Sequence, residues 1–124
     1  MSRATASRDH PHRNDVALRG RVSAEPETRD LPSGDTLVTF RLVVRRPEPR
    51  ARGQSVDVLS CITYDRALQR RATAWQPGDV LEVEGALQRR FWRTPTGTTS
   101  MTEVNCRRGR KVPRSAARAA GETA

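Results

Sequence analysis

Cysteine is scarce in this 124-residue chain: Cys61 and Cys106 are the only two, and neither belongs to a close ligand pair. That argues against a zinc site and against a disulfide framework, and it leaves two reduced, partly buried thiols as the expectation. Long hydrophobic runs are missing as well. No apolar stretch approaches the ~20 residues that span a bilayer, and the opening MSRATASRDHPHR lacks the hydrophobic segment of a secretory signal. A soluble, cytoplasmic protein without a membrane partner is expected. Also absent are a glycine-rich loop that would cradle phosphate and a pair of carboxylates beside a nucleophile at a strand end. The two histidines, His10 and His12, fall in a polar lead. No enzyme is predicted, and no catalytic residue, metal ligand or cofactor.

Negative charge is in short supply too: 14 Asp and Glu stand against 23 Lys and Arg, for a formal net charge of +9. Of this excess, +2 lies in residues 1–13 and +5 in residues 107–124, so the middle of the chain carries only +2. Lysine occurs once, at Lys111; every other basic side chain is arginine, whose planar guanidinium suits phosphate and base-plane contacts. The same bias fits a genome rich in G and C. Net positive charge favours a polyanionic partner, and nucleic acid before membrane, since no amphipathic helix with a wide apolar face accompanies it. A hydrophobic content of 35% supports one modest core and one compact domain.

Residues 1–13 show no periodicity and predict a disordered basic lead. From Asn14, Val16, Leu18, Gly20 and Val22 alternate with Ala17, Arg19, Arg21 and Ser23, which predicts a half-buried strand interrupted by Pro26. A turn over Leu31–Asp35 leads to a second strand, Thr36 to Arg45, with Val38, Phe40, Leu42 and Val44 inward and Thr39, Arg41, Val43 and Arg45 outward. Arg46 to Gln54 holds two prolines and a glycine and predicts a mobile basic loop. A third strand, Ser55 to Tyr64, has apolar residues on both faces. Asp65 is placed to cap a short helix whose Leu68, Ala72 and Trp75 recur at i, i+4 and i+7. A Pro77-Gly78 turn ends it, and Thr98 to Cys106 predicts the last strand. The remainder, residues 107–124, has almost no large apolar side chain and predicts a disordered basic tail.

The fourth strand, DVLEVEGALQRRFW from Asp79 to Trp92, carries the sharpest signal. Leu81, Val83, Leu87 and Phe91 share one parity, with Gly85 among them; Glu82, Glu84, Gln88, Arg90 and Trp92 share the other. An indole beside a guanidinium on the wet face suits stacking against a flat anionic partner. A bulge at or beyond Gly85 would instead reset the parity and tuck Trp92 into the core.

Three strands, one helix and two strands make the order of an OB-fold: an all-β, five-stranded barrel with a short helix between strands 3 and 4. The blocks NDVALRGRVSAEPETRDLPSG, VTFRLVVRR, PGDVLEVEGALQRRFW and TEV, in that order, also resemble the bacterial single-stranded DNA-binding proteins over residues 14–106. The resemblance implies a homotetramer, cytoplasmic and nucleoid-associated, that coats single-stranded DNA in replication, repair and recombination without enzymatic activity. It matches Trp92 to a base-stacking tryptophan of the family and Tyr64 to an aromatic position. Arg41, Arg45, Arg90 and Arg93, on or beside the outward parity, are the candidate phosphate contacts, although each also fits an ordinary solvated strand residue. Asp57, Glu82 and Glu84 show that the surface is not uniformly basic.

The departures from the family pattern carry weight as well. Val58 stands where many members have a further tryptophan, and the family's acidic C-terminal tip is replaced by basic residues. Recruitment of proteins through such a tip is therefore not expected, and a secondary paralogue is. An OB-fold adaptor that binds RNA or a replication protein is the alternative, since stacking and charge do not test for a 2′-hydroxyl.

Overall fold

The computed structural model describes residues 10–48, 53 and 55–113. Most of the expected lead, most of the loop after Arg46 and the end of the basic tail lie outside the described residues. The elements are β1 (Val16–Val22), β2 (Glu27–Asp30), β3 (Thr36–Arg45), β4 (Val56–Thr63), α1 (Arg66–Ala72), β5 (Val80–Thr94) and β6 (Gly97–Lys111). They form one sheet in the order β1-β5-β6-β4-β3-β2, and β1 pairs again with β3 through Arg21–Val43 and Val22–Leu42. This second pairing closes five strands into the barrel of an OB-fold and leaves β2 outside it, hydrogen-bonded to β3 alone. β4 and β6 run parallel, with Cys61 opposite Val104 and Ile62 opposite Asn105. The other ladders are antiparallel.

Alternation builds the barrel interior. Val22, Val38, Phe40, Leu42, Cys61, Leu81, Val83, Val104 and Cys106 point inward and are buried, with Val16, Leu18 and Val44 packed at the margin. Each fully buried Leu or Val contributes about 1.5 to 3 kcal/mol over its exposed state. The helix closes one end of the barrel. Its N-cap Asp65 accepts from the Leu68 backbone N–H at 2.8 Å, and Leu68 and Ala72 face inward. Gln69 Nε2 donates to the carbonyls of Thr36 at 2.7 Å and Thr63 at 3.0 Å, which ties the helix to β3 and β4. Just past the helix, Trp75 is only 4% exposed and meets the Phe40 ring edge-on, with centroids 5.2 Å apart at 74°. Such pairs add to the burial of both rings. Both cysteines are free and buried; hydrogen bonding with Cys106 and burial push the Cys61 thiol up, so it is a poor nucleophile.

Two features differ from the expectation. β2 has four exposed residues and so no apolar alternation to announce it; it forms because the turn at Leu31–Asp35 lays it against β3. The other difference is the domain boundary. β6 continues to Lys111 and Val112 is buried, its backbone N–H bonded to the Val80 carbonyl at 2.8 Å, so Arg107, Arg108, Arg110 and Lys111 belong to the barrel rather than to a tail beginning after Cys106. The pairing partner explains it: Leu81 opposes Lys111 and Glu82 opposes Arg110, and the buried small residue at that level is Gly109. Backbone pairing sustains a strand there with few large apolar side chains.

Candidate nucleic-acid interface

Gly85 divides β5 into two lengths with different surroundings. On its N-terminal side β5 is flanked by both β1 and β6, and Leu81 and Val83 are buried. At Gly85 itself the backbones approach so closely that a Cβ would lie 2.0 Å from the Asn105 carbonyl oxygen. Here the register shifts: Glu84 opposes Arg108 but Gly85 opposes Cys106, so Arg107 is the extra residue of a bulge. The extra residue sits on β6. The alternation of β5 therefore runs through Gly85 undisturbed, and Trp92 stays on the wet parity, 38% exposed.

Beyond Gly85 the last β1 partner, Val16, has been passed, and β5 and β6 continue as a two-stranded arm. Asn14 marks the branch point: its side chain donates to the Leu87 carbonyl at 2.7 Å and accepts from the Leu87 N–H at 2.8 Å. Leu87 and Phe91, expected on an inward face, are 49% and 64% exposed. They keep the inward parity, but no layer covers it once the arm leaves the barrel.

Residues paired across a ladder share a face, so one outer surface can be followed strand by strand. On β3 and β4 it holds Arg41 opposite Ser60, Val43 opposite Val58 and Arg45 opposite Val56. Ile62 leads across to Asn105 of β6, and the arm continues the face with Gln88 opposite Glu103, Arg90 opposite Met101 and Trp92 opposite Thr99. Arg41 and Arg45 are exposed and make no ion pair among the described residues. Arg90 is committed. Its Nε donates to Glu103 at 2.9 Å, that carboxylate is 2% exposed, and the guanidinium carbon stands 4.9 Å from the Trp92 ring centroid. Glu103 also accepts from Gln88 and is the one carboxylate on the arm's part of this face, buried and neutralised by Arg90; elsewhere the outward parity includes the exposed Glu27, opposite Thr39, and Glu84.

Tyr64 follows Ile62 in parity at the end of β4 and is exposed, beside a shallow groove lined by Gly34, Thr36, Arg66, Gln69 and Arg70. Arg93 is brought elsewhere. It opposes Thr98 and shares the face of Phe91, across the arm from Trp92. Val58 is exposed on the outer face without a ring to offer.

Of the carboxylates that interrupt the basic surface, Asp57 and Glu82 are paired, whereas Glu84 is exposed and makes no ion pair among the described residues. Asp57 accepts a two-pronged hydrogen bond from Arg46, at 2.9 and 3.1 Å, which holds its carboxyl below the usual carboxylate range. Glu82 lies between Arg19, whose Nε donates at 3.0 Å, and Arg110, and is likewise held low by these partners. It borders a groove of about 830 Å³ between α1 and the strands β1, β5 and β6, rimmed by Arg71, Arg107 and Arg108, with Arg71 donating to the Gly109 carbonyl at 3.1 Å. Among the described residues no group of three or more His, Cys, Asp or Glu side chains could hold a metal ion, and no helix is long and apolar enough to cross a membrane.

A closed five-stranded barrel, with its helix between the third and fourth barrel strands, thus carries an aromatic arm and exposed arginines on its outer face. The sequence model of the single-strand binding protein family matches residues 13–111. The chain belongs to that family. Single-stranded DNA-binding protein 1 of Staphylococcus aureus (strain COL) is 34% identical over 95 residues, covering 75% of this chain and 57% of that protein. Single-stranded DNA-binding protein A of Bacillus subtilis (strain 168) is 33% identical over 93 residues, covering 73% and 54%. The chain thus spans a little over half the length of these curated relatives. A solved Plasmodium falciparum SSB complex with ssDNA shares the fold, with a TM-score of 0.67 over 84% of this chain and 96% of that one, at 24% identity.

Proposed function

We propose that this chain binds and coats single-stranded DNA without marked sequence preference and without enzymatic activity. The observation that carries the reading is the outer face itself: an exposed indole at Trp92, guanidiniums at Arg41 and Arg45 that are exposed and make no ion pair among the described residues, and, on the arm's part of the face, no carboxylate except the buried Glu103 that Arg90 neutralises. Binding a flexible single strand asks for ring faces on which bases lie and for cations along the phosphates, with no group reading base edges. Trp92 and Tyr64 supply the rings. Arg41 and Arg45 supply phosphate contacts, Arg90 orients the indole, and Arg93 adds charge from the other side of the arm. The implied setting is DNA replication, repair or recombination in the cytoplasm, at the nucleoid.

A homotetramer is part of the same reading. Among the described residues, β1 pairs with β3 only through Arg21 and Val22, which leaves the edge from Val16 to Gly20 open to a second copy. The test is a competition assay with labelled oligo-dT. Unlabelled duplex DNA should compete weakly, unlabelled RNA that competes as well as single-stranded DNA would favour the RNA-adaptor reading, and log K should fall with log salt by about 0.7 per phosphate neutralised. Replacing Arg41 and Arg45 by Ala should make that slope shallower. Equal affinity for duplex, or a complex insensitive to salt, would overturn the reading.

A further inference from the structure

The arm carries an arginine and an aromatic ring on each of its two faces, and only one pair belongs to the outer face. Phe91 is 64% exposed, the most exposed of the large apolar side chains among the described residues. It opposes Ser100 on the face that also bears Leu87, Arg89 and Arg93 with Thr98 and Thr102. The Arg89 guanidinium carbon stands 5.8 Å from the Phe91 ring centroid, and Arg89 Nη2 donates to the Ser100 hydroxyl. This repeats the pairing of Arg90 with Trp92, with one difference. Arg90 is neutralised by Glu103, whereas Arg89 meets only a hydroxyl, and no carboxylate stands on this face of the arm from Leu87 to Thr102.

We infer that Phe91, with Arg89 and Arg93, forms a second base-stacking platform, so that a strand of DNA held at Trp92 crosses the edge of β5 and continues on the opposite face of the arm. The inference rests on the single-strand reading and extends it. The guanidinium covers one side of the ring, and the exposure of Phe91 leaves the other side open for a base. Passage between the faces is open as well. Past Gly85 no strand among the described residues pairs with the outer edge of β5, and Asn14 engages it only at Leu87. Net positive charge without a carboxylate fits phosphates better than a protein surface, where a patch centred on Leu87 and Phe91 alone would suffice. Two platforms on one arm lengthen the stretch of strand that each chain holds.

The experiment uses the full chain and its Phe91→Ala, Phe91→Leu, Phe91→Tyr and Trp92→Ala variants with fluorescent oligo-dT graded from about 4 to about 16 nucleotides per chain. Trp92→Ala should weaken binding at every length. Phe91→Ala and Phe91→Leu should match the unaltered chain on the shortest oligonucleotides and bind the longer ones at least about five-fold more weakly, the loss of one stack. Phe91→Tyr, which keeps a ring, should restore binding. Melting temperature and oligomeric mass should not change. If Phe91→Ala binds all lengths as the unaltered chain does, the second platform is refuted. If Leu substitutes fully for Phe while Ala lowers the oligomeric mass, the patch is a contact between copies and the inference fails. An unaltered chain that binds no oligo-dT refutes the single-strand reading itself.

Discussion

The two halves of β5 follow one alternating sequence and meet opposite fates. Between Val80 and Gly85 the strand lies within the barrel, and its inward parity is sealed by α1 and the opposite strands. Between Ala86 and Thr94 the same parity continues, yet Leu87 and Phe91 are open to solvent. Alternation states which side chains share a face; burial depends on whether a second layer lies over that face. The tryptophans mark the contrast, since Trp75 is inside the barrel and Trp92 is on the arm. Stability should therefore reside on one side of Gly85 and binding on the other.

The largest effect expected from that division is on the barrel side. Trp75→Ala removes a ring packed edge-on to Phe40 and should cost about 3 to 5 kcal/mol, measured by denaturant or thermal unfolding. A variant that loses less than 1 kcal/mol, by order of magnitude, would show that the helix end is loosely packed. At the boundary, Gly85→Ala sets a methyl group against the Asn105 carbonyl, which belongs to backbone and cannot swing away. Overpacking of this kind should cost about 1 to 3 kcal/mol and should disturb the arm's binding as well, because the register shift lies there.

The smallest effect concerns the ion pairs on the barrel surface. Asp57 and Glu82 have carboxyls held below the usual range in the folded chain, so the folded state binds fewer protons than the unfolded one as pH drops. Their contribution is complete above the ordinary carboxylate range and fades as pH falls through the lowered folded values. Glu82→Gln should flatten part of the acid limb of a melting-temperature profile and leave neutral-pH stability almost unchanged, as expected for exposed pairs. An acid limb identical to that of the unaltered chain would mean that Arg19 and Arg110 do not hold Glu82 in solution.

Much of this division was legible in the residues. Period-two patterns located β1, β3 and β4, the Asp65 cap marked the helix start, and the spacing of Leu68, Ala72 and Trp75 put the indole in the core. The resemblance supplied the topology, and with it the pairing of distant strands that no local pattern contains. Three things were hidden. β2 has no buried face to give it a pattern. The end of β6 is held by backbone pairing, with Arg107, Arg108, Arg110 and Lys111 in place of an apolar stripe. Phe91 was hidden by its parity, which is inward along a strand but uncovered at the end of an arm. Arg90 was visible as a cation, but its bond to Glu103 required knowing that residues 90 and 103 lie on one face of a hairpin.

The central claim is that a single strand of DNA is held at Trp92 while Trp75 only maintains the barrel. It is tested most directly by titrating oligo-dT into the unaltered chain and the Trp92→Ala variant while tryptophan emission and melting temperature are followed. The account predicts that oligo-dT quenches the unaltered chain, and that Trp92→Ala melts at nearly the same temperature, shows little quenching and binds about 1 to 3 kcal/mol more weakly. A Trp92→Ala chain that melts far lower yet binds and quenches as before would contradict it.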